Sequence, residues 1–261
     1  MKKRSLMMAV VAVTLFALVV FPISVGASHS WGGYHWARTA NPFTIKLGDN
    51  VSGLWDGMLV NGSNDWSASD VLDTTIVAGG TRPKTCRPTS GRVEVCNASY
   101  GNTGWLGVAQ IWITGSTHIT QGTVKNNDYY FGNSSYQYNN TAEMQHVICQ
   151  EIGHTFGLGH QDESGAFLNT CMDYYHNTSV SDTGSTHPNA HDYEELDIIY
   201  AHLDSFTTIG ATPASIAQGD FSSPSEWGKL VSTSKDGRES TYLRDFGKGN
   251  FVVTFVIWVQ E

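Results

Sequence analysis

Past residue 25 the sequence contains no apolar run long enough to span a bilayer core of about 30 Å, so no later segment is expected in a membrane. It has no basic patch, which removes the usual electrostatic footprint of nucleic-acid binding. It shows no internal repeat. Its cysteines are few, Cys86, Cys96, Cys149 and Cys171, and their spacings match no Cys-only zinc site. Cations are scarce too: 15 Lys and Arg stand against 24 Asp and Glu, a formal net charge of -9. That acidity suits solubility outside a cell and identifies no substrate.

What is present begins with a leader. Lys2, Lys3 and Arg4 precede an apolar run from Leu6 to Val25 and a small-residue site at Val25-Gly26-Ala27, the layout of a secretory signal over residues 1–27. An uncleaved anchor is the other reading of that run, and Pro22, Ser24 and the Ala27 site favour removal. The rest is expected to be secreted, extracellular and without stable membrane association. Its length suits one sizeable domain over 28–205 and an extension over 206–261. An even cysteine count in an exported chain favours two disulfides. Three connectivities exist, and the sequence-local one is expected, Cys86 with Cys96 and Cys149 with Cys171.

The alternation in Pro42 to Leu47 suits a strand, Trp55 to Trp66 a weak first helix, and Thr74 to Val77, Arg92 to Cys96 and Val108 to Thr114 short strands bounded by Gly, Asn or Pro. The clearest helix runs from Thr141 to Gly157, with Met144, Val147, Ile148, Ile152 and Phe156 at three- and four-residue spacing. Gly157 is suited to end it with a positive φ. A second helix is expected from about Asn189 to Leu203, after a loop of some thirty residues. The tail reads as a polar stretch and then a β-hairpin from Ser240 to Val259 turning at Gly247-Lys248-Gly249-Asn250, to which no chemistry attaches.

The chemistry lies in Gln150-Glu151-Ile152-Gly153-His154-Thr155-Phe156-Gly157-Leu158-Gly159-His160. Residues four apart on a helix share a face, so the side chains of Gln150 and His154 can reach one ion. Glu151 would lie beside that ion as a proton acceptor. After the turn at Gly157, His160 could return as a third ligand. His146 lies two turns before His154, about 12 Å along the axis at 1.5 Å per residue, too far to share the ion. It reads as a surface residue or one shaping the approach to Gln150.

This stretch resembles the metzincin signature, His-Glu-x-x-His-x-x-Gly-x-x-His, with Gln150 at the first His position. Cys171-Met172-Asp173-Tyr174 resembles the Met-turn beneath the metal in that clan, and the helix after 189 resembles the closing helix of matrixins. The resemblance implies an α+β zincin fold: a twisted mixed sheet, an active-site helix, a Met-turn and a C-terminal helix. It implies a metalloendopeptidase acting on a protein or peptide, with Glu151 as general base, Tyr174 near the oxyanion, and Gln150, His154 and His160 on the metal. A glutamine oxygen is neutral and a weaker donor than imidazole, so copper or another divalent ion stands beside zinc; gametolysin-like members of the clan also carry Gln here. A substrate chain would lie along a sheet edge, for which Val108 to Thr114 is the candidate. The enzyme is expected to be a monomer. The competing reading is a secreted binding protein of the same fold that has lost its metal.

Overall fold

The computed structural model describes residues 29–162, 166–211 and 221–260, so the leader at 1–27 lies outside the described residues. The elements, in chain order, are β1 (His35–Trp36), β2 (Phe43–Asn50), α1 (Leu54–Trp66), β3 (Leu72–Ala78), β4 (Val93–Ala98), β5 (Trp105–Thr114), β6 (His118–Asn127), the single turn α2 (Asp128–Phe131), α3 (Thr141–His154), α4 (Ala190–Ile199), β7 (Lys229–Thr233), β8 (Glu239–Gly247) and β9 (Asn250–Trp258). The fold is mixed α/β, with one large mixed sheet and few helices.

The sheet runs β3-β2-β4-β6-β5-β9-β8-β7, with β1 attached to the start of β6. Strands β2, β3, β4 and β6 are parallel; from β5 onward every pairing is antiparallel. The C-terminal hairpin does turn at Gly247-Lys248-Gly249-Asn250, and it extends this same sheet. Strand β9 can read as an apolar run from Phe251 to Trp258, interrupted only by Thr254, because both of its faces are covered. Val253, Phe255 and Ile257 enter the main core beneath α1 and α3. Val252 and Val256 enter a smaller core on the opposite face, with Trp105, Val108, Trp112, Phe221 and Trp227.

Two expectations need correction. Val108 to Thr114 is not an edge: β5 is hydrogen-bonded to β6 on one side and to β9 on the other, register Val108↔Val256 through Trp112↔Val252. The second helix is also shorter than its sequence pattern, ending at Ile199. Beyond it, Tyr200 and His202 give their carbonyls to the buried Arg38 guanidinium instead of to a further helical turn.

Helix α3 begins at Asn140, whose side chain accepts from the Glu143 amide as an N-cap. The helix lies against the sheet with almost every residue buried. Disulfides join Cys86 to Cys96 and Cys149 to Cys171; the second ties α3 to the loop that carries Met172.

Candidate metal centre

The end of α3 builds the site. Gly157 adopts φ 96°, and a Cβ there would meet the Tyr34 carbonyl oxygen at 2.0 Å, so only glycine lets the chain reverse at this point. The reversal brings the His160 ring back to His154, with centroids 4.6 Å apart. His154 Nδ1 lies 2.9 Å from the Leu158 carbonyl oxygen, an acceptor only, so Nδ1 carries the proton and Nε2 keeps its lone pair. Burial first, and then His160, hold the His154 pKa well below the usual imidazole range, which keeps the ring neutral. His160 presents Nδ1 to the Tyr174 hydroxyl at 2.9 Å.

The third group comes from the hairpin. Glu239, the first residue of β8, sets Oε2 against His160 Nε2, and its Oε1 accepts from Gln150 Nε2 at 3.1 Å. One donor atom from each of His154, His160 and Glu239 lies within 4.8 Å of the other two. Gln150 Nε2 also donates to the Asp173 carbonyl at 3.0 Å, so its amide nitrogen is engaged on the side facing Glu239. Strand β9 adds the Phe255 ring, stacked on His154 at 4.1 Å with 6° between planes.

Glu151 is fully buried between α3 and β5. A Cβ on Gly107 would meet Glu151 Oε1 at 2.6 Å, so the missing side chain on β5 is what makes room for the carboxyl. Neither of its oxygens has a hydrogen-bond partner of normal geometry. Burial and then the Glu239 carboxylate push the Glu151 pKa well above the usual range, against a weaker pull from the Ala109 backbone amide. The Glu239 carboxyl is pushed the same way by burial, partly offset by the Gln150 hydrogen bond.

Met172 is buried under the helix, and a Cβ on Gly153 would sit 2.6 Å from its sulfur. Asp173 holds this loop together, accepting from the Leu168 and Tyr175 amides and from Ser185 Oγ. His146 is buried rather than on the surface, 3.0 Å from Asn177 Nδ2. The residues singled out in 150–174 thus converge on one region. Sequence reasoning missed Glu239 and Phe255, and no local pattern around Arg238-Glu239-Ser240 marks them; only the strand pairing of β9 with β5 brings them in. No protein-family model matches the chain, and no curated protein matches it.

Proposed function

We propose that the chain is a secreted, metal-dependent endopeptidase of metzincin-like fold, with its ion held by His154, His160 and Glu239. The observation that carries the proposal is the convergence of two imidazoles and a carboxylate at the end of α3, with an otherwise unpartnered buried carboxyl, Glu151, one helical residue past Gln150. Two His and one Glu is a ligand set that catalytic zinc takes in peptidases, and copper also accepts imidazole. Glu239 supplies the anionic donor that Gln150 lacks, and Gln150 acts by holding Glu239. A bound divalent ion would supply Lewis acidity toward water and toward a carbonyl oxygen. Glu151 would accept the water's proton and return it to the leaving amine, and Tyr174 would orient His160.

In the form described here the centre is closed, since Gln150, His154 and Glu239 are all buried and β9 occupies the flank of β5 where an extended peptide would pair. Activity therefore requires β9 to yield beside β5 while Glu239 stays on the ion. The test uses mature protein loaded with zinc or with copper, metal analysis, and cleavage of a denatured protein substrate. Wild type should cleave; E151Q should retain metal while losing at least about 100-fold in rate, whereas E239A should bind metal more weakly. His154→Ala should remove one equivalent of metal. Metal-loaded wild type that cleaves nothing would leave a metal-holding binding protein as the correct reading.

A further inference from the structure

A second group of donors lies away from α3. His35 belongs to β1, and His118 opens β6 directly opposite it in register. His202 and Asp204 follow α4, and the Asp204 amide donates to the Arg38 carbonyl at 2.9 Å, which brings this segment against the residues after β1. We propose that His35, His202 and Asp204 form a second divalent-cation site, with His118 beside it in contact with Asp204.

The donor distances suit an ion. His35 Nε2 is 3.1 Å from His202 Nε2 and 3.7 Å from Asp204 Oδ1, and His202 Nε2 is 4.0 Å from the same oxygen. His118 Nε2 is 3.3 Å from it. A tetrahedral ion with bonds of about 2.0–2.1 Å separates its ligand atoms by about 3.3 Å, so these distances bracket the required edge. The atoms are also prepared for the role. His35 Nδ1 sits 2.9 Å from the Gly33 carbonyl oxygen, which leaves the lone pair on Nε2, facing the cluster. Asp204 is anchored through Oδ2, which accepts from the Arg38 amide and from Arg38 Nη1 at 3.1 Å, while Oδ1 faces the three rings.

The donor set also indicates which ion. Arg38 already neutralises much of the Asp204 charge, so affinity would come mainly from imidazole nitrogen. That favours zinc, copper or nickel over calcium or magnesium, which take oxygen donors. The His202 side chain is 52% exposed, giving an ion a route in and making this residue the tolerant one to remove. An ion here would clamp the N-terminal strand and the start of β6 to the segment after α4.

The proposal is independent of the centre at His154, and the test keeps the two apart. Full-length H154A, checked for its fold by circular dichroism, is titrated with zinc by calorimetry and with cobalt(II) by visible absorption. One equivalent should bind, its thermal midpoint should rise with zinc, and neither effect should be seen in H154A/H202A, whose affinity should fall by at least about 100-fold, the upper range for loss of even an outer partner of a metal site. If H154A does not fold, the parallel measurement is wild type against H202A, where zinc stoichiometry should drop by one. Unchanged binding on removing His202, or none in H154A below millimolar zinc, would show instead a set of His–Asp hydrogen bonds that holds no metal.

Discussion

Residues 141–174 and residues 229–258 contribute to the same centre by opposite means. In the first, the contacts are local: the last residue of α3 and one reversal at Gly157 bring the two imidazoles together, and a disulfide from Cys149 to Cys171 holds the loop of Met172 against the helix. In the second, Glu239 and Phe255 arrive from nearly a hundred residues away, through the antiparallel pairing of β9 with β5. Local geometry makes half a centre; the hairpin both completes it and covers it. Anything that loosens the hairpin should therefore act on the centre even with every residue of α3 unchanged.

The largest expected effect tests that coupling. Phe255 is 1% exposed, lies in the main core and stacks on His154. Replacing it with alanine should cost about 3–5 kcal/mol in chemical denaturation, the usual cost of deleting a buried phenylalanine. The same variant should bind metal more weakly at the His154 centre, because the hairpin carries Glu239. A cost under about 1 kcal/mol with metal binding intact would show that the hairpin is not docked against α3 in solution.

The covalent staple in the local region should matter somewhat less. Closing the 22-residue separation between Cys149 and Cys171 corresponds to about 3 kcal/mol of lost chain entropy in the unfolded state, and the 10-residue separation of Cys86 and Cys96 to slightly less. Double alanine variants of each pair, melted in parallel, should lose stability in that order. Only C149A/C171A should also disturb metal binding, since only that disulfide joins α3 to the loop of Met172. Equal metal affinity in both variants would remove the disulfide from any part in positioning the centre.

These contrasts follow what could be read from the sequence. Helix α3, the turn at Gly157 and the loop at Met172 were legible because their spacing is set by one helix and by a glycine that no other residue replaces. The hairpin was legible as β structure, from the run Phe251 to Trp258, but not as a contributor of chemistry, because Glu239 is an ordinary acidic residue until β8 is placed. Strand β6 escaped notice altogether: Thr123, Lys125, Asn126 and Asn127 are buried there and break the apolar alternation that marks a strand. The side-chain amide nitrogens of the two asparagines find partners at a distance, Asn126 in the Cys96 carbonyl and Asn127 in the carbonyls of Gly101 and Trp105. The cluster of His35, His202 and Asp204 with His118 beside it was invisible for the same reason, being scattered over 170 residues and joined only by the β1–β6 pairing and the return after α4.

The smallest effect per step, and the one that links the two regions most directly, is a dependence on pH. Glu151 on α3 has its pKa raised by burial and then by Glu239 on β8. A carboxyl whose folded pKa exceeds its unfolded one stabilises the fold at low pH, and that contribution disappears as pH rises from the unfolded value toward the folded one. In chelator, the stability of wild type relative to E151Q should therefore be greatest below about pH 4.3 and fall by up to about 1.4 kcal/mol per pH unit above it. In an E239Q background the decline should end at lower pH, because the neighbouring carboxylate that helps raise Glu151 is gone. Urea titrations of the four proteins at half-unit pH intervals measure both. If the pH at which the decline ends is the same with Gln or Glu at 239, the two carboxyls do not sense each other, and β8 does not lie where it could supply a ligand to the ion proposed at His154.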